Sequence, residues 1–151
     1  MKKVFLLLVA VGFTLISKAQ IVDPAHWNSA VQSLGNGEFE IMITVTLDDG
    51  WHIFSKDYAG ISVPATLTID KSDSYVEVGK LREQGELIKE EIEIGGEKEM
   101  AMYYKNKVVF VQTVKVLTHD ATIKGSIEYM TCKEVCVPPA VYEFSINIHN
   151  H

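Results

Sequence analysis

Cys132 and Cys136 are the two cysteines of the chain, and only Lys133-Glu134-Val135 lies between them. Two thiols this close in sequence either staple the fold as a disulfide or cycle between dithiol and disulfide. A disulfide needs Cα atoms about 4.4–6.8 Å apart, which facing positions of a tight hairpin-like turn satisfy and an extended run does not. The ring such a bond closes is tiny, and a staple stabilises more when it closes a longer loop. Its contribution to folding is therefore small, and the spacing leaves both roles open. Lys133 favours a thiolate and Glu134 opposes it, so the local charges do not decide reactivity. Pro138 and Pro139 follow Cys136 closely; they fix the backbone and remove two donors, holding the second sulfur in a rigid setting.

The N-terminus implies that these thiols work outside the cytoplasm. Met1-Lys2-Lys3 precedes an apolar run from Val4 to Ile16, and Ser17-Lys18-Ala19 places small residues at the −3 and −1 positions of a cut after Ala19. The run is short of the roughly 20 apolar residues a membrane anchor needs. The expectation is a cleaved export signal at residues 1–19 and one domain at 20–151, long enough for a real core. The signal holds three lysines and no acids, so the remainder sets 11 Lys and Arg against 20 Asp and Glu, a net charge of −9. That balance argues against nucleic acid and anionic membrane surfaces as partners. It fits a soluble carrier that meets other proteins, expected as a monomer.

The elements that must position the sulfurs are strands. Ile41, Ile43, Val45 and Leu47 alternate with polar or exposed positions, as do Ile123, Ile127 and Tyr129, and Tyr142, Phe144, Ile146 and Ile148. Each run reads as a strand with one face on a core. Val108 to Val116 is apolar on both faces for half its length and reads as a central strand. Shorter candidates are Trp51 to Phe54, Ala65 to Ile69 and Tyr75 to Val78, with Asp23 to Trp27 as a lead-in strand or turn. Breaks are expected at Leu34-Gly35-Asn36-Gly37, Asp48-Asp49-Gly50, Lys105-Asn106-Lys107 and His119-Asp120. Seven or eight short strands at this spacing predict an all-β, two-sheet antiparallel sandwich.

Residues 79–102 form the least regular segment, with seven glutamates around Gly95-Gly96. This stretch reads either as a solvated acidic loop or as a functional lid. Only Arg82 to Glu93 has a pattern that would pass for a helix, and Gly85 weakens it. His26, His119, His149 and His151 read as surface, turn or terminal residues. No Ser-His-Asp set, phosphate-cradling glycine loop or paired carboxylates stand out, so hydrolase and nucleotide chemistry have no support.

The cysteine segment resembles the N-terminal periplasmic domain of the thiol:disulfide interchange protein DsbD family. Four features carry the resemblance in order: Phe39 to Leu47 leading into Asp49-Gly50-Trp51-His52-Ile53-Phe54-Ser55; the loop ending in Met102-Tyr103-Tyr104; the strand Val108 to Val116; and Gly125 to Cys132 running into Cys136-Val137-Pro138-Pro139. The resemblance implies an immunoglobulin-like sandwich whose Cys132/Cys136 pair is the redox-active centre. It implies electron transfer from a thioredoxin-like donor to periplasmic thiol proteins through mixed disulfides. A cap loop that shields the sulfurs until a partner docks corresponds to the acidic segment. His52, Phe54 and Pro138 occupy the sulfur-shielding or partner-contact positions, and Cys136 is the expected nucleophile.

The chain departs from the family pattern in three ways. Its cysteines are closer together than in the best-known members, so a tighter turn is expected. Its cap lacks the covering aromatic, so Ile92, Ile94, Met100 or Met102 would have to replace it. The membrane and thioredoxin-like domains of the full-length family protein have no counterpart in this sequence, so a separate protein, such as a membrane electron-transfer protein, is expected to reduce it. No cofactor or resident metal is expected. Two other functions stay in view: a binding sandwich with a permanent structural disulfide, and a Cu(I)-handling module in which Cys132, Cys136, His52, Met130, Met100 and Met102 offer soft ligands.

Overall fold

The computed structural model describes residues 22–94 and 96–150; the side chain of Ile94, like the expected signal at 1–19 and His151, lies outside the described residues. Among the described residues the chain forms nine strands and no helix: β1 (Ala25–Gly35), β2 (Glu38–Leu47), β3 (His52–Phe54), β4 (Thr66–Ile69), β5 (Tyr75–Ile94), β6 (Glu97–Val116), β7 (Asp120–Tyr129), β8 (Thr131–Cys132) and β9 (Ala140–His149). One sheet runs β1-β2-β6-β3-β8 with β5 along the other side of β6, and the second runs β4-β7-β9. Every strand pair is antiparallel. This is the expected all-β sandwich of immunoglobulin-like type.

The core forms where the alternating runs face each other. Ile41, Ile43, Val45, Val108, Phe110 and Val114 of the first sheet meet Ile123, Ile127, Phe144, Ile146 and Ile148 of the second. Each such buried side chain contributes about 1.5–3 kcal/mol relative to exposure, so this layer dominates the stability. One end is closed by Trp27, which stacks on Tyr142 at 5.0 Å and tilts against Tyr129 at 4.8 Å. The turn at Gly35-Asn36-Gly37 is left-handed throughout, with φ of 87°, 55° and 76°. That backbone is open to glycine and tolerated by asparagine, which explains the composition of the β1–β2 hairpin.

Three expectations need correction. Residues 79–102 are neither an irregular loop nor a helix: they belong to two 20-residue strands, β5 and β6, paired down to Ile94↔Glu97. Lys105-Asn106-Lys107 is not a break between strands but a bulge within β6. The partner of β5 jumps there from Val108, opposite Gly85, to Tyr104, opposite Leu87, and Asn106 takes φ 63°. The lead-in at Ala25 extends into a full edge strand, β1, paired with β2 from Ala25↔Leu47 onward.

The bulge has a positional consequence. On the far side of β6 from β5, residues 107–115 pair with β2, whereas Tyr103, Tyr104 and Lys105 pair with β3. A single strand thus leaves the sandwich core and continues to the end of the molecule that carries the cysteines.

Candidate functional site

β8 is two residues long and is placed entirely by β3, through His52↔Cys132 and Ile53↔Thr131. After Cys132 the chain turns back at once. The Lys133 N–H donates to the Val135 carbonyl at 3.1 Å, and the Val137 N–H donates to the Thr131 carbonyl at 2.9 Å. The Lys133 ammonium donates to the Asp49 carbonyl at 3.1 Å, tying this turn to the one between β2 and β3. Cys132 and Cys136 face each other as an isolated bridge pair and are joined by a disulfide, with Cα atoms 4.0 Å apart, closer than the usual span. The turn is tight, as three intervening residues require.

The two sulfurs have different surroundings. Cys132 is 4% exposed and belongs to a second buried cluster with Phe54, Tyr58, Ala101 and Tyr103. Cys136 is exposed, as are Val135 and Pro138 beside it. This second cluster lies on the face of the sheet turned away from the sandwich core. In a two-layer fold, buried apolar side chains there need their own cover. Ile88 and Ile92 of β5, together with Met102 and Met130, pack against the cluster and provide it.

The expected site residues are distributed as follows. His52 and Phe54 both lie at the sulfur end: the His52 ring meets Tyr103 at 4.6 Å and Phe54 edge-on at 5.3 Å, and Phe54 stacks on Tyr58 at 4.4 Å. Pro138 is not in this cluster; it lines a separate apolar groove of about 350 Å³ with Val22, Pro24, Tyr129 and Val137. Ile92 covers the cluster, whereas Met100 is 54% exposed. Among the described residues, no group of three or more His, Cys, Asp and Glu side chains is arranged to hold a metal ion.

Aromatic cover over Cys132 comes from outside residues 79–102. Tyr58 supplies it from the loop after β3, and Tyr103 supplies it from β6. Sequence reading did not single out these two tyrosines as site residues. Their partners lie in the acidic segment, and periodicity does not show such pairs. Tyr103 donates its hydroxyl to Glu90 at 2.6 Å, Tyr104 donates to Glu83 at 3.0 Å, and Tyr58 donates to Glu99. Glu83 also accepts the Ser55 hydroxyl and the Lys56 N–H, each at 2.7 Å. Three of the seven glutamates are thus hydrogen-bonded latches that hold β5 and β6 over the sulfur end.

Burial and these carboxylates shape the acid–base behaviour. Burial first, then the Glu90 hydrogen bond and charge, pushes the Tyr103 phenol up to about 12. Tyr104 is raised further, by burial and then by Glu83. His52 is shifted the other way. Desolvation and then the charge of Lys105 lower its pKa, against a smaller upward pull from Glu90. Its imidazole is therefore neutral at neutral pH. The other histidines do not gather here: His26 pairs with Asp48 at 2.8 Å and His149 with Asp120 at 2.6 Å, both at the surface.

Comparison with known proteins agrees with this geometry. The family model described as "Thiol:disulfide interchange protein DsbD, N-terminal" matches residues 18–147. The N-terminal periplasmic domain of ScsB from Proteus mirabilis is similar with a TM-score of 0.56 and 19% identity, over 85% of this chain and 47% of that one. This chain thus spans about half the length of that relative. The Neisseria meningitidis DsbD N-terminal domain, in its reduced form, is similar with a TM-score of 0.54 and 17% identity, over 82% of this chain and 86% of that one. At such identities the structural likeness speaks for the fold. No curated protein matches the chain.

Proposed function

The chain belongs to the DsbD N-terminal family, and from that premise we propose that it is a thiol–disulfide exchange domain whose Cys132–Cys136 pair carries two electrons between a thioredoxin-like protein and thiol protein partners. The observation that carries this reading is the unequal exposure of the two sulfurs. Cys136 is open to attack, while Cys132 is buried at 4% exposure beneath aromatic side chains. An exchanging disulfide needs one accessible sulfur and a protected second sulfur that resolves the intermediate. A ring of this size adds less to folding than a longer loop would, which weakens the case for a purely structural disulfide.

In this reading a partner thiolate attacks the Cys136 sulfur, the Cys132–Cys136 bond breaks, and Cys132 leaves with the electron pair. The partner's second thiol then displaces Cys136, leaving a dithiol here and a disulfide there. Donation onward runs the same steps in reverse. The expected export signal at residues 1–19 supports a periplasmic setting for this reaction. No helix among the described residues is long and apolar enough to cross a membrane.

Redox equilibration against glutathione with mass detection tests the proposal. An exchanger equilibrates in the range of periplasmic and thioredoxin-like couples, whereas a potential far below about −300 mV marks an inert staple. Cys132→Ala and Cys136→Ala baits, incubated with a thioredoxin-like protein, report the nucleophile. A mixed disulfide on the Cys132→Ala bait and none on the Cys136→Ala bait is expected.

A further inference from the structure

We propose that His52 is the proton-transfer partner of the Cys132 sulfur, taking its proton when the pair closes onto a mixed disulfide and returning one when the pair opens. This deepens the exchange reading and rests on it. The register places the two residues directly opposite each other, His52↔Cys132, on adjacent antiparallel strands. Facing residues of such a pair have Cβ atoms about 4.5–5.5 Å apart and project from the same side of the sheet.

Chemical need points the same way. Cys132 is 4% exposed among Phe54, Tyr58, Ala101 and Tyr103. A thiol in apolar surroundings ionises reluctantly, yet only the thiolate attacks and only the thiolate leaves. Bulk water does not reach such a sulfur freely, so the proton needs a carrier within the fold.

The charged and titratable groups around His52 leave it as that carrier. On β6, Lys105 faces it across the other strand edge and also sits 5.8 Å over the Tyr103 ring. The ammonium pushes the imidazole toward its neutral, proton-accepting form. Tyr103 holds its proton to about pH 12 and donates it to Glu90 of β5, so both are committed to each other. Neither His52 ring nitrogen is hydrogen-bonded to a described residue, so the ring is not committed elsewhere. A small cavity of about 110 Å³ lined by His52, Phe54, Glu90, Ile92, Ala101 and Tyr103 gives the ring room to turn.

The step balances without an outside reagent. In the mixed disulfide, Cys136 is bonded to a partner sulfur and Cys132 is a thiol. His52 takes the Cys132 proton, the sulfur attacks Cys136 Sγ, and the Cys136–partner bond breaks. The electron pair leaves on the partner sulfur, which takes up a proton from the imidazolium or from water.

The test follows the two steps separately. Reduced protein is mixed with glutathione disulfide and quenched with acid, and the mixed and intramolecular disulfides are resolved by mass. In His52→Phe and His52→Gln, formation of the Cys136–glutathione bond is expected to keep its rate. Its resolution by Cys132 is expected to slow at least about tenfold near pH 7 and to lose its inflection in the imidazole range. Resolution at the wild-type rate and pH profile in both variants overturns the role of His52 while leaving exchange intact. Equal slowing of both steps also overturns it, since that marks a structural role. Failure of the wild-type protein to form any mixed disulfide removes the exchange reading itself, and this inference with it.

Discussion

Tyr103 of β6 donates its phenolic hydrogen to Glu90 of β5 at 2.6 Å, and the pair spans the two long strands beside the buried sulfur. Because the fold prefers the protonated phenol, stability is lost as pH rises. The full contribution is present below the ordinary tyrosine value near 10 and disappears as pH passes through the folded value of about 12. Denaturant midpoints measured from pH 9 to 12 should fall across that window. In Glu90→Gln the Tyr103 titration, followed by phenolate absorbance, should move down toward the ordinary range.

Glu83 anchors the hairpin through three donors: the Ser55 hydroxyl, the Lys56 N–H and the Tyr104 hydroxyl. Ser55 is fully buried, so removing its acceptor leaves its O–H donor without water or acceptor, while its oxygen still accepts the Asp57 N–H. Glu83→Ala should lower unfolding stability by about 2–4 kcal/mol. Hydrogen exchange should rise in the β3–β4 connection while β7 and β9 keep their protection. Equal deprotection of both sheets would contradict a local anchor.

Breaking the disulfide should cost little. The chain-entropy relation gives about 2 kcal/mol for a ring of this size, against about 3 for a 15-residue loop. Cys132→Ser with Cys136→Ser should therefore give a folded domain whose urea midpoint is only modestly lower and whose m-value is unchanged. Unfolding of this double variant at room temperature would count against the redox reading.

Gly125 is a packing requirement of the smaller sheet. A Cβ placed there would stand 2.4 Å from the Thr68 carbonyl oxygen and 2.6 Å from the Phe144 ring. Backbone cannot yield as a flexible side chain does, so Gly125→Ala should destabilise by about 1–3 kcal/mol or more. Gly35→Ala should be milder: nothing lies near its Cβ, and only the left-handed φ of 87° opposes the change.

The parts of this fold that were legible in the sequence are those where one face meets the core. Ile41 to Leu47 and Phe144 to Ile148 alternate because the sandwich buries every second side chain. β1 showed no such signal because it is an edge strand, mostly exposed, held by its ladder to β2. Residues 79–102 of β5 and β6 looked like an acidic loop because the partners of their carboxylates are distant in sequence. Ser55 is 28 residues from Glu83, and Tyr58 is 41 from Glu99. Periodicity reports neighbours within one element and has no access to such pairs. The cysteine pair stood out by residue type and spacing, whereas His52 entered through the family resemblance. The cover over Cys132 was not, because Tyr58 and Tyr103 reach it through strand register.

The asymmetry of the two sulfurs also sets the order of events. With Cys132 enclosed and Cys136 at the surface, the proposed exchange would have donor and acceptor occupy the same atom in turn and never together. Turnover is then a two-stroke cycle, in which the first visitor departs before the second arrives. Steady-state rates measured while both visitors are varied should then give the parallel double-reciprocal lines of a ping-pong cycle.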